Sequence, residues 1–174
     1  RKYTDVGQNR YANYLSDVSL LNVSNITDEN FDDINEPIKL SYDYEQSDYI
    51  EEIAGDLYLQ PLLHFGVTEN IFKEEDRLYP VDISHPYGYK FIITYNIPEG
   101  YAVSSLPESR LVKMEENIGY LKFDTLQRGN TIQVSFTFDI KHHLIPANYY
   151  PALKALYGEY VKISNSKIVL QKTI

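Results

Sequence analysis

The chemistry open to this chain rests on four histidines and 25 carboxylates, because it has no cysteine. Without cysteine there is no thiolate nucleophile, no disulfide and no zinc–thiolate site. His142 and His143 are adjacent at the end of a strand pattern. Successive strand residues point to opposite faces, so this pair cannot close on one metal ion in regular geometry. His64 and His85 are isolated in loops and would join a site only through the fold. Asp32-Asp33, Glu51-Glu52, Glu74-Glu75 and Glu115-Glu116 lie in polar connections or strand ends. Nothing apolar surrounds them that would raise a carboxyl pKa, so they read as surface charge. Asp28, Asn30 and Asp32 begin like a calcium loop, but Asp33 stands where glycine is needed and Lys39 where a bidentate Glu is needed. There is no Gly-x-Ser-x-Gly elbow and no Gly-rich phosphate loop. The expectation is a chain without catalytic residues, cofactor or metal.

The aromatic residues are the other resource. There are 17 tyrosines and no tryptophan. Tyrosine suits half-buried strand positions, so most of these rings should belong to sheet packing. Rings left open to solvent would instead form a surface for a peptide, a sugar or a partner protein. Tyr87, Tyr89, Tyr149 and Tyr150, near strand ends, are the candidates for that surface.

The elements that must position these residues follow from periodicity. Ile132, Val134, Phe136, Phe138 and Ile140 alternate with Gln133, Ser135, Thr137 and Asp139, which predicts a strand with one buried face. Gly119 to Leu126 predicts its partner, with Leu121 and Phe123 on one side, joined through Gln127-Arg128-Gly129-Asn130. Further strands are predicted at Ile38–Tyr44, Asp56–Leu63, Leu78–Ser84, Tyr87–Ile97, Tyr101–Ser105, Ser109–Glu116 and Ser166–Lys172, with Gln46–Gly55 a polar connection. A short strand around Val23–Thr27 is a further option. In the Ser109–Glu116 strand, Leu111 is expected to turn inward, with Val112 and Met114 as further inward candidates. Tyr11, Tyr14, Leu15, Val18 and Leu21 predict a helix over Gln8–Asn22. Leu153, Leu156, Tyr160 and Ile163 predict a second, opened by Pro151 in its first turn. Strands outnumber helices and short turns join them. The predicted fold is therefore mainly β, an antiparallel immunoglobulin-like β-sandwich with a helix near each end. Residues 1–22 are expected to form a linker helix from an upstream domain, and 23–174 a single sandwich domain.

Totals bound the partners. The net charge is −9, which argues against binding along a nucleic-acid backbone. No apolar run approaches the roughly 18 residues of a membrane-spanning helix. The chain starts at Arg1, which suggests a piece of a longer protein.

A set of segments carries a resemblance. They are Leu57-Tyr58-Leu59-Gln60-Pro61, Arg77-Leu78-Tyr79-Pro80-Val81-Asp82, Ile97-Pro98-Glu99-Gly100-Tyr101 with Leu106-Pro107, Tyr150-Pro151-Ala152-Leu153 and Lys167-Ile168-Val169-Leu170-Gln171-Lys172. In this order they resemble the C-terminal domain of unknown function of bacterial transglutaminase-like proteins. The resemblance implies an upstream β-domain and a transglutaminase-like core, export to the periplasm or cell surface, and a closing β-domain with no assigned role. The Cys-His-Asp triad of such a protein would lie in the core, so no catalytic residue carries over to this chain. The implied role is a non-catalytic accessory module that packs on that core or presents a surface to a partner; the alternative, a carbohydrate- or peptide-binding module, rests on the tyrosines instead.

Overall fold

The computed structural model describes residues 22–30, 33–46 and 48–173. The chain divides into two compact units, Arg1–Asp48 and Tyr49–Ile174. The helix predicted over Gln8–Asn22 lies outside the described residues, except Asn22, which opens a strand.

The first unit holds an antiparallel hairpin of β1 (Asn22–Glu29) and β2 (Lys39–Glu45). The pairing slips between Ser24 and Thr27, where Asn25 takes a φ of 50°. Lys39 Nζ meets Glu29 Oε2 at 2.8 Å across the pair. Asp28 pairs with Leu40 in this ladder, while Asp32 lies outside the described residues.

The second unit is built on one sheet. Strand β6 (Tyr87–Asn96), β8 (Arg110–Lys113), β9 (Gly119–Arg128) and β10 (Thr131–Ile140) form it in the order β6-β10-β9-β8, all antiparallel. The alternation in β10 does what its period demands: Ile132, Val134, Phe136, Phe138 and Ile140 are all buried. Gly129, at φ 55°, turns the chain between β9 and β10, and the Asn130 amide donates to the Ile97 carbonyl at 2.8 Å.

A second sheet contains β3 (Ile50–Ile53), β4 (Asp56–Leu59), β7 (Tyr101–Ser105) and β12 (Ile168–Lys172) in the order β3-β4-β12-β7, also antiparallel. Two short strands, β5 (Val81–Asp82) and β11 (Leu144–Ile145), pair separately. Helix α1 (Tyr150–Asn165) has Pro151 in its first turn and buries Leu153, Leu156, Tyr157, Tyr160 and Ile163. Leu59, Ile168 and Leu170 of the second sheet share one hydrophobic core with Phe123, Phe136 and Leu156. The architecture is thus mainly β and antiparallel, a sandwich with a C-terminal helix.

Three local expectations are corrected. Ile50–Ile53 forms a strand where a polar connection was expected. It is an edge strand with Ile50 and Ile53 exposed, closed onto β4 by Ala54 and Gly55 at positive φ, so its apolar signal is weak. Of Leu78–Ser84 only Val81–Asp82 pairs, because Pro80 offers no N–H, and Leu78 is 92% exposed. Leu111 points outward. The register sets Val112 opposite inward-facing Leu121 and Leu111 opposite Lys122, so alternation buries Met114 instead.

Gly119 is needed for close approach. A Cβ there would sit 2.7 Å from the Asp139 carbonyl oxygen and 2.8 Å from Ile140 Cδ1. One of those atoms is backbone, so the paired strands must part. Gly119→Ala is expected to lower unfolding free energy by about 1–3 kcal/mol. Denaturant unfolding checks this, and an unchanged midpoint would remove the steric argument.

Candidate functional site

The side chains brought together around an open cavity are aromatic. Strand β6 contributes Tyr87, Tyr89 and Phe91 from its inner face, and α1 contributes Tyr157 and Tyr160. The connection after β4 contributes Phe65, Val67 and Ile71. These residues, with Phe138 behind them, line a groove of about 400 Å³. Every lining residue is apolar or a tyrosine.

The groove exists because β6 is the first strand of its sheet and its inner face reaches past the helix. Phe136 and Phe138 of β10 are covered by Tyr160 and Tyr157, with ring centroids 4.6 and 5.0 Å away. One strand further out, Phe91 is half-buried and Tyr89 is 48% exposed. The rings form a ladder. Phe65 stacks on Phe91 at 4.4 Å, Phe91 lies parallel to Phe136 at 5.7 Å, and Tyr89 lies within 15° of parallel to Phe91 at 6.0 Å.

The connection from Pro61 to Pro80 has little regular structure, yet it is tied to the helix. Tyr160 Oη donates to the Phe65 carbonyl at 2.6 Å. The Val67 N–H donates to Ser164 Oγ at 3.0 Å, and Ser164 Oγ donates to the Tyr160 carbonyl at 2.9 Å. The Asn70 amide donates to the Lys154 carbonyl at 2.8 Å. Phe72 meets the Tyr150 and Tyr157 rings edge-on. At the other end of β6, Tyr95 Oη shares its hydrogen between the Gln60 and Pro61 carbonyls, at 3.0 and 3.1 Å. The wall of the groove is therefore fixed by polar bonds at its back.

Of the four tyrosines singled out from sequence, two meet here. Tyr87 and Tyr89 stand 5.6 Å apart, and the Tyr87 hydroxyl is hydrogen-bonded to that of Tyr157. Tyr150 is elsewhere, 1% exposed, donating to the Glu74 carbonyl at 2.9 Å beneath the Arg77 guanidinium. Tyr149 is half-buried against the core. Phe65, Val67, Ile71 and Tyr157 were not anticipated. The first three sit in a connection without periodicity. Tyr157 was legible, since it follows Leu153 at i+4.

Burial pushes the Tyr87 hydroxyl up to about 12, and the neighbouring Tyr89 adds to this. Burial likewise pushes Tyr160 up to about 12, with smaller contributions from Tyr89 and Tyr87. Both groups favour the neutral form when folded, so their contribution to stability is complete below the ordinary value of 10.0. It is lost as pH rises through about 12, because the unfolded chain releases these protons first. An ultraviolet titration is expected to show two phenols ionising late, and Tyr87→Phe to remove one of them. Uniform ionisation of all tyrosines near the ordinary value would contradict the burial.

No carboxylate, histidine or lysine lines the groove. Burial lowers the pKa of His64, which lies beside Phe65 at a ring distance of 3.9 Å. Among the described residues no three histidines, aspartates or glutamates gather as metal ligands. No described helix is long and apolar enough to cross a membrane.

A family model for a domain of unknown function with a solved structure matches residues 55–170, which spans β4 to β12. No curated protein matches the chain. A similar solved structure is the crystal structure of a "putative protease" from Parabacteroides distasonis ATCC 8503, at 16% identity and a TM-score of 0.49. The likeness covers 56% of this chain and 19% of that one, and at this score it carries no argument.

Proposed function

Because the chain belongs to this family of domains of unknown function (DUF3858), we propose that it is a non-catalytic interaction module whose contact surface is the aromatic groove. The observation that carries this reading is the lining itself: open rings beside the edge strand β6, with no carboxyl, imidazole or amine group among them. The partner we assign is an extended apolar segment of another protein. Among the described residues β6 pairs only with β10, so its other edge can accept a strand by backbone hydrogen bonds. Alternate side chains of such a strand would enter the groove beside Tyr89 and Phe91.

We place the module in an exported protein with a transglutaminase-like core, where it would act as the accessory domain. What supports this is the ordered resemblance running from Leu57 to Lys172. The same resemblance and the stacked antiparallel sheets support an immunoglobulin-like description. A glycan is the second reading, favoured by the near-parallel Tyr89 and Phe91 rings, which suit stacking against a sugar face.

Titration of the chain with extended apolar peptides, and in parallel with oligosaccharides, tests the reading. Tyr89→Ala and Phe91→Ala are each expected to weaken peptide binding about tenfold or more. Binding indifferent to both changes would move the site away from the groove, and saccharide binding alone would favour the second reading. Turnover of a peptide or amide substrate by this chain would end the non-catalytic assignment.

A further inference from the structure

The opposite face of the same sheet carries a second concavity, and its character differs from that of the groove. We infer that it is a binding site for a small organic carboxylate with an apolar or aromatic body. The site is independent of the groove and of the role assigned to it.

The cavity measures about 410 Å³ and lies over β8, β9 and the turn between them. Lys113, Lys122 and Lys141 line it, with Leu111 and Tyr120 as its apolar floor and Asn117 at its rim. No carboxylate lines it, although the chain as a whole carries a net charge of −9. Strand register explains the placement. Leu111 sits opposite Lys122 and Lys113 opposite Tyr120, so all four point outward from one patch. The acidic neighbour Asp139, opposite Tyr120, is turned away. Its Oδ1 lies beside Gly88 of β6, 3.0 Å from where a Cβ would be.

The cations are differently held. Lys141 Nζ donates to Asn117 Oδ1 at 2.8 Å and sits 5.6 Å from the centre of the Tyr120 ring. That places one ammonium over the aromatic floor without neutralising it. The turn that presents Asn117 holds both Glu116 and Asn117 at positive φ, 51° and 53°, a conformation rare for such residues. It is closed by the Met114 N–H on the Gly119 carbonyl at 2.8 Å and the Lys141 N–H on the Ile118 carbonyl at 2.8 Å. Lys122 is paired with Asp124 at 3.0 Å in an exposed bridge, which a bound anion can replace at small cost. Among the described residues Lys113 has no ion pair. Three compact cations around an apolar floor match an anionic head on an apolar body.

The test is titration of the full chain with phenylacetate, followed by NMR of its dimethylated lysines, a modification that keeps their charge. Signals of Lys113, Lys122 and Lys141 are expected to shift together and saturate in the millimolar range. Lys90, on the same face at β6, is expected not to move. Lys113→Gln with Lys122→Gln should weaken binding about tenfold, Tyr120→Ser should weaken phenylacetate more than acetate, and Lys90→Gln should leave binding unchanged. Far-ultraviolet circular dichroism verifies that these surface variants fold. Acetate or inorganic phosphate binding as tightly as phenylacetate would mean an adventitious ion only, and overturns the proposal. So does a titration that fails to saturate, or one that survives the double lysine change.

Discussion

Phe136→Ala is expected to lower the unfolding free energy by about 3–5 kcal/mol, the range for truncating a buried aromatic ring. For a chain of this size that corresponds to a fall in Tm of roughly 6–20 °C. The residue is 1% exposed at the middle of β10, an interior strand of the β6-β10-β9-β8 sheet. Its ring lies between Phe91 of the edge strand, at 5.7 Å, and Tyr160 of the helix, at 4.6 Å. Both neighbours are anchored elsewhere, Phe91 by Phe65 and Tyr160 by its bond to the Phe65 carbonyl, so neither can collapse into the space left. The cavity term should therefore persist. Ile92→Ala on the outer face of β6 is the control, because Ile92 is exposed. It should change stability by less than about 0.5 kcal/mol. Guanidinium unfolding of the two variants decides the matter. Equal midpoints would mean that β10 is not the centre of the core.

The same strand shows why much of the fold could be read from sequence. A half-buried strand writes its two faces in alternating letters, and β10 and β6 do so along their whole length, β9 from Gly119 to Phe123. The helix writes a stripe, and Leu153, Leu156, Tyr160 and Ile163 are all buried where it placed them. Edges are less legible. Ile50–Ile53 pairs on one side only and exposes both isoleucines, so the residues between them, Glu51 and Glu52, dominated its reading. The groove was half legible. Tyr87 and Tyr89 are inward-facing by parity, but what leaves Tyr89 open is the end of the sheet, a fact of strand order. Strand order arises from pairings between distant segments, such as β12 between β4 and β7, and no local pattern states it. Tyr150 misled for a related reason. A tyrosine at a helix start looks exposed until the connection from Pro61 to Pro80 is laid across it and supplies the Glu74 carbonyl for its hydroxyl. The lysine pocket arises the same way, since Lys113, Lys122 and Lys141 come from three strands or strand ends and meet only through register.

Tyr160 is where core and groove are coupled, and two substitutions there separate the parts. Tyr160→Phe keeps the ring and removes one hydroxyl. The Phe65 carbonyl then loses a donor at 2.6 Å, which should cost about 1–3 kcal/mol. Tyr160→Ala removes the ring as well, uncovering Phe136 and Phe138, and should cost about 3–5 kcal/mol. The two differ in what they do to the groove. Ser164 Oγ still receives the Val67 N–H after Tyr160→Phe, so Phe65–Val67 keeps one of its ties to the helix. Peptide affinity should then fall by less than the stability does, and hydrogen exchange at Val67 should speed up only modestly. Adding Ser164→Ala removes the second tie, and the combined loss should exceed the sum of the two single losses, because either bond alone still holds the segment. Phe65 stacks on Phe91, so freeing its segment also frees the ring that closes the groove. The double variant should therefore lose peptide binding while the far side of the sheet keeps its carboxylate site. A strictly additive cycle, or loss of both sites together, would show that the groove wall is not an independently held piece of the structure.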